Sequence, residues 1–202
     1  MDSTLYEFFY GHASINERLF LLVNHATTPL LDAVMPILTF LGDSRLVFCY
    51  LPLLFLVTLL DRKRMPGCYP AVYLLAVLIS LGVEDLIKEL FRIPRPPVVI
   101  GSDQVRVLGH LSRSFSLPSG HAVFAFTTAT VVGHGRSVRW KAPLYLLAGL
   151  VAWSRVYLGV HYPLDVLAGA FVGSGCALLV WKGYGWGEMF MGRGQGGATP
   201  GG

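Results

Sequence analysis

The chain has 202 residues, 53% of them hydrophobic and only 14% charged, with a mean hydropathy of +0.56. That balance suits a membrane protein better than a soluble one and leaves room for one domain. The net charge of +4 and a pI near 9.1 come without a basic stripe of interleaved aromatics, so no nucleic-acid partner is expected, and no obligate protein partner is evident. Residues 15–26 place Ile15, Leu19, Phe20, Leu22 and Val23 against Asn16, Glu17, Arg18 and Asn24, the pattern of an amphipathic helix along a bilayer interface. Pro29 to Gly42 is apolar but short and contains Asp32, which leaves re-entrant, interfacial and poorly spanning readings open.

Leu46 to Leu60 is a better span and ends at Asp61-Arg62-Lys63-Arg64. Tyr69 to Ile87 is long enough to cross, since about 20 helical residues cover the hydrocarbon core; Glu84, Asp85 and Lys88 lie at its far end. A polar, proline-marked loop runs from Arg92 to Leu117. The next helix is predicted from Ser119 to Gly135, followed by the basic connector Arg136 to Lys141. Ala142 to Leu158 crosses back, and Pro163 to Trp181 crosses again, with Pro163 suited to a first helical position. From Gly183 the sequence is glycine-rich without apolar periodicity, which predicts disorder.

The expected fold is all-α, a polytopic membrane bundle of about five to six transmembrane helices. It forms one membrane-embedded domain over 1–182, with an amphipathic N-terminal segment (1–29) and a glycine-rich tail (183–202). Cys49, Cys68 and Cys176 lie in or beside apolar segments and read as packing residues. Met1-Asp2-Ser3-Thr4 lacks the basic n-region of a cleavable signal, so targeting is expected to rest on the internal spans. Alternating the spans puts the basic connectors 62–64 and 136–141 on one side, cytoplasmic by the positive-inside rule. The loop 92–117, the start of the helix at 119 and the turn 155–165 fall on the other. That outer loop carries Arg92, Arg95, Arg106 and Arg113, against the charge rule. Either part of it is an anion site, or the topology is inverted.

The stretch Ser116-Leu117-Pro118-Ser119-Gly120-His121 opens the helix at 119. Ser119 is a good N-cap, the unpaired N–H groups and positive dipole end attract anions, and Gly120 lets an anion approach the backbone. His121 adds a titratable proton donor. Lys88 and Arg95 flank a bend, two cations able to hold an oxyanion. Glu84, one turn before Lys88, reads as its helix-face ion-pair partner. Arg155 ends an apolar helix, where an unpaired charge is costly. His161 precedes the next helix, and Asp165 in its first turn can reach back to one ring nitrogen, leaving the other as a nucleophile.

These three stretches resemble the tripartite signature of the type 2 phosphatidic acid phosphatase superfamily. They are Lys88 through Arg95-Pro96, then Pro118-Ser119-Gly120-His121, then Ser154-Arg155 through His161 to Asp165, in order and with the family's spacing. The resemblance implies a metal-independent lipid phosphatase, with no cofactor, working through a phosphohistidine. In that reading His161 is the nucleophile, Asp165 its orienting carboxylate and His121 the general acid. Lys88, Arg95, Arg155, Ser119 and the Gly120 N–H hold the phosphoryl oxygens. The implied partners are the bilayer and a membrane lipid phosphate, with a polyprenyl diphosphate as the first choice. Phosphatidylglycerol phosphate, phosphatidic acid and lipid A phosphate are alternatives. The implied location is a bacterial inner membrane with the site facing outward. A phosphotransferase using the same residues and a vanadate-dependent haloperoxidase are the competing readings; the second group is soluble, unlike a chain with several spans.

Overall fold

The computed structural model describes residues 3–60, 67–109 and 114–194, and these contain helices and connecting turns but no strand. Helix α1 (Ser3–Tyr10) was not anticipated from the sequence. Helix α2 (Ile15–His25) begins at Ser14, whose hydroxyl accepts from the Glu17 N–H at 3.2 Å, while Glu17 accepts from the Ala13 N–H at 3.0 Å. These reciprocal bonds satisfy donors that a helix start leaves over. Thr28 caps α3 (Pro29–Phe40) through the Leu31 N–H at 3.2 Å, with Pro29 in the first turn. The segments 6–25 and 29–40 meet at 115°, the geometry of a broken span or a re-entrant loop.

A 3-10 turn (Ser44–Leu46) leads into α4 (Val47–Leu60), followed by α5 (Tyr69–Phe91), the short α6 (Pro96–Val99), α7 (Gly120–Gly133), α8 (Val138–Tyr157) and α9 (Pro163–Gly194). Arg92 ends α5 in a left-handed conformation (φ 48°), its N–H returning to the Lys88 carbonyl at 2.9 Å. Among the described residues, two helical stretches can cross a bilayer alone by length and apolarity, 69–99 and 163–185, or three if the bent pair forms one span. The α4 segment with its 3-10 lead-in, and α7, are apolar but shorter.

The expected disorder from residue 183 is corrected, because α9 continues to Gly194. Trp181 packs edge-on against Tyr69 and Tyr184 at centroid distances of 4.8 and 6.1 Å, and stacks on His134 at 4.3 Å. That aromatic cluster anchors the helix where glycine alone would weaken it by about 1 kcal/mol per residue. Residues 195–202, the basic cluster 62–64 and Arg113 lie outside the described residues.

Helix α7 is the central rod, contacted by α9, α8 and α5. Its approach to α9 depends on Gly169 and Gly173. A Cβ on Gly173 would lie 2.3 Å from the Val123 carbonyl oxygen, and one on Gly169 would lie 2.7 Å from that of Ser119. Small residues four apart let membrane helices close to backbone contact, and here they seat the start of α7 on the start of α9. The outer faces carry exposed Phe48, Leu86 and Phe171, as a lipid-facing surface does.

Candidate active site

The motif residues come together at one end of the bundle, where α5 ends, α7 and α9 begin, and α8 turns into α9. A cavity of about 190 Å³ there is lined by Lys88, Arg95, Gly120, His121, Arg155 and His161, and also by Glu84, Ser44, Leu81 and Ser114. Of the loop arginines among the described residues, only Arg95 joins it. Arg92 pairs with Glu89 at 3.1 Å, and Arg106 pairs with Asp32.

Asp165 is fully buried in the first turn of α9 and is held from three directions. Its Oδ2 accepts from the Tyr162 N–H at 2.8 Å and from the Ser116 hydroxyl at 2.5 Å, and its Oδ1 accepts from the Tyr10 hydroxyl at 2.9 Å. The bond to Tyr162 also satisfies a donor at the start of α9. The same Oδ2 lies 3.5 Å from Nδ1 of His161. On the other side of the ring, Nη1 of Arg95 is 3.1 Å from Nε2. A guanidinium only donates, so Nε2 accepts and the ring proton belongs on Nδ1, facing the carboxylate. Burial, with Arg95, Arg155 and Lys88 nearby, pushes the His161 imidazole well below its ordinary range and keeps it neutral.

Arg95 is itself braced. Its Nε donates to the Ser114 carbonyl at 2.8 Å, Nη1 to the Val160 carbonyl at 2.8 Å, and Nη2 to the Ser114 hydroxyl at 3.1 Å. It thus ties the loop before α7 to the turn before α9, a role beyond the charge expected of it. Arg155 donates from Nη1 to Thr39 Oγ1 at 2.7 Å, while its buried Nε has no partner. Ser119 precedes α7 as expected, yet its hydroxyl makes no capping bond and is a buried polar atom without a partner. Unsatisfied buried polar groups are costly. Two of them, on Ser119 and Arg155, belong to the motif residues expected to hold phosphoryl oxygens.

Lys88 pairs with Glu84, and the Glu84 carboxylate lies against Gly120, where a Cβ would be 2.5 Å from Oε1. Glu84 is therefore a wall of the cavity as well as a helix-face partner. Tyr10, Thr39, Ser44 and Ser114 also reach the site or its charged groups and had no signal in the sequence. Among the described residues, no cluster of three or more His, Cys, Asp or Glu side chains could hold a metal.

Comparison with known proteins defines the family. The family model of the PAP2 superfamily matches residues 69–188, so the chain belongs to the PAP2 superfamily. It is an integral-membrane phosphatase of that family. An undecaprenyl-diphosphatase of Sulfolobus acidocaldarius is 30% identical over 165 residues, covering 81% of this chain and 76% of that protein. The crystal structure of Aquifex aeolicus LpxE superposes with a TM-score of 0.73 at 35% identity, over 84% of this chain and 96% of that one. A PAP2-type phosphatidylglycerolphosphate phosphatase from Bacillus subtilis gives 0.67 at 28% identity, over 84% of each chain.

Proposed function

We propose that the protein releases phosphate from a polyprenyl diphosphate through a phosphohistidine, with the site at the outer face of a bacterial inner membrane. The observation that carries the mechanism is the orientation of His161, with Nδ1 toward Asp165 and Nε2 toward the cavity cations. Nε2 attacks the terminal phosphorus, and the bond from phosphorus to the bridging oxygen breaks. His121 donates a proton to that departing oxygen. Lys88, Arg95, Arg155, the Ser119 hydroxyl and the Gly120 N–H take the charge spread over the phosphoryl oxygens. Water then attacks phosphorus with His121 taking its proton, the P–N bond breaks, and inorganic phosphate leaves. Cations and backbone donors carry the charge stabilisation, so no metal is assigned.

The name of the Sulfolobus relative supports a polyprenyl diphosphate as substrate. Helices α4, α7 and α8 are taken as spans beside α5, α9 and the bent N-terminal pair, giving about five to six crossings. The outward orientation rests on the basic stretch 136–141, which covers the α7–α8 turn and the first turn of α8 instead of a connector alone, at the end of the bundle opposite the cavity. The test is phosphate release by detergent-purified protein from a panel of lipid phosphates in EDTA. Release from a polyprenyl diphosphate ahead of diacyl phosphates is expected. Loss of all release in EDTA, restored by Mg²⁺, would remove the phosphohistidine reading.

A further inference from the structure

Behind His121 lies an elbow of chain that the three motifs do not include. Helix α3 ends at Phe40, and the backbone turns through Leu41, Gly42 and Asp43 into the 3-10 turn Ser44–Leu46. The elbow is braced by its own backbone. The Gly42 N–H donates to the Thr39 carbonyl at 2.9 Å, the Asp43 N–H to the Phe40 carbonyl at 3.0 Å, and the Leu46 N–H to the Asp43 carbonyl at 2.9 Å. Two neighbours pin it: Tyr50 of α4 donates to the Leu41 carbonyl at 3.1 Å, and Arg155 of α8 donates to Thr39 at 2.7 Å. Gly42 rests directly on the site, since a Cβ there would lie 2.4 Å from Val151 Cγ1 and 3.2 Å from both Cβ and the carbonyl oxygen of His121. Ser44 lines the same cavity as His121. Asp43 stands between these two residues.

The two histidines of the cavity are supported differently. The His161 ring has Asp165 facing one nitrogen and Arg95 the other. Among the described residues, no hydrogen bond reaches the His121 ring. Lys88, Arg95, Arg155 and the His161 ring line the same cavity, and Glu84 is already paired with Lys88. Holding a proton on His121 among those cations calls for a further negative charge nearby. Asp43 can supply it. Its Oδ1 accepts from the Arg45 N–H at 2.9 Å, capping the 3-10 turn, and both oxygens accept from the Arg45 guanidinium. The Asp43 side chain is only 16% exposed, against 86% for Arg45, so water screens the arginine far more than the carboxylate. Arg45 holds the Asp43 carboxyl down at about 2, and His121 adds to that effect through space. Asp43 is therefore ionised throughout the neutral range.

We infer that Asp43 is a positioning residue for His121, its carboxylate favouring the charged ring that gives a proton to the departing oxygen. The inference rests on the phosphohistidine reading above and adds what keeps the acid charged. In an in-line displacement the nucleophile and the departing oxygen lie on opposite sides of phosphorus. Asp165 then serves the attacking side through His161, and Asp43 serves the departing side through His121. The step balances: His121 enters as imidazolium and passes one proton to the bridging oxygen as the P–O bond breaks. It is left neutral beside Asp43, and the water that later cleaves the P–N bond returns the proton.

The test compares two phosphate monoesters on full-length protein in detergent, farnesyl phosphate and 4-nitrophenyl phosphate. The first departs as a strongly basic alkoxide and needs the proton; the second departs as a stabilised phenolate and scarcely does. The quantity read is kcat/KM, which covers the steps up to departure of the leaving group, and the ratio of the two values does not depend on how much of a variant is folded. Asp43→Asn keeps the shape and the turn cap but removes the charge. It is expected to lower kcat/KM about tenfold for farnesyl phosphate and at most about twofold for 4-nitrophenyl phosphate, part of the roughly 10²–10⁴-fold that general acid catalysis contributes. Arg45→Gln breaks the same ion pair and leaves the carboxylate, so the farnesyl to 4-nitrophenyl ratio stays at or above the wild-type value. Asp43→Asn/His121→Ala is expected to match His121→Ala alone, because both changes act through one ring. Equal losses on both esters in Asp43→Asn, where His121→Ala still discriminates between them, overturn the role of Asp43 and leave the acid assignment standing. A lower ratio in Arg45→Gln overturns it too, by showing that the ion pair matters and not the charge. Equal losses in His121→Ala itself, or wild-type protein inert on farnesyl phosphate, overturn the acid reading of His121 and this inference with it.

Discussion

The Tyr10 hydroxyl donates to Oδ1 of Asp165 at 2.9 Å across 155 residues of sequence. The N-terminal helix α1 therefore reaches the carboxylate that faces His161, and both side chains are buried. Tyr10 does not line the cavity, so in the proposed mechanism it acts as a positioning residue through Asp165. A hydrogen bond to a charged group is worth about 1.5–3 kcal/mol. Tyr10→Phe is expected to lower kcat about tenfold with little change in KM. Asp165→Asn and the double variant Tyr10→Phe/Asp165→Asn should then be equally impaired, because two residues acting through one contact do not add. Additive losses in the steady-state rates would contradict this role.

Glu84 pairs with Lys88, which the proposed mechanism assigns to the phosphoryl group, and lies against Gly120. An anion in the cavity must draw Lys88 away from that carboxylate. Glu84→Gln removes the competing negative charge, and vanadate should inhibit the variant roughly three- to tenfold more tightly. Lys88→Met should weaken vanadate by a comparable factor. Inhibition constants from a lipid phosphate assay check both, and weaker vanadate binding by Glu84→Gln would show that the carboxylate orients Lys88 instead.

The sequence revealed the parts of this site that are local. His161 and Asp165 are one helical turn apart, and Ser119, Gly120 and His121 open a helix, so spacing alone brings each group together. The order of the motifs along the chain matched the family's signature, which joined them. Tyr10, Thr39 and Ser44 could not be found that way. They come from the N-terminal third and meet the site only through packing, as Thr39 does with Arg155 across 116 residues. Ser119 was legible by position but not by role, since an N-cap residue looks the same whether its hydroxyl caps the helix or is left for a ligand. The Gly169 and Gly173 contacts with α7 were open to a sequence reading, because small residues four apart are a known packing signal. The continuation of α9 to Gly194 was not, as it depends on Trp181 finding Tyr69 and His134.

The depressed His161 pKa has a consequence for stability. The folded state keeps His161 neutral, while the unfolded chain binds a proton below about pH 6.5. Stability is therefore lost as pH falls below that value, by about 1.4 kcal/mol per pH unit from this one group. His161→Gln should flatten the fall in stability as pH drops below about 6.5, because the folded pKa of His161 lies well below that of the unfolded chain. Urea unfolding in detergent at several pH values reads the difference. Parallel wild-type and variant curves would mean that His161 ionises normally in the fold.

The central claim is that His161 carries the phosphoryl group, and covalent trapping tests it most directly. Detergent-purified protein is mixed with a radiophosphorus-labelled polyprenyl diphosphate, quenched in alkali within a turnover, digested and mapped. The account predicts an acid-labile, alkali-stable phosphoramidate on the peptide containing His161, absent from His161→Ala. It should persist longer in His121→Ala, since that residue would also deprotonate the attacking water. A phosphoryl group on any other residue, or none in enzyme shown to be turning over under the same quench, would contradict it.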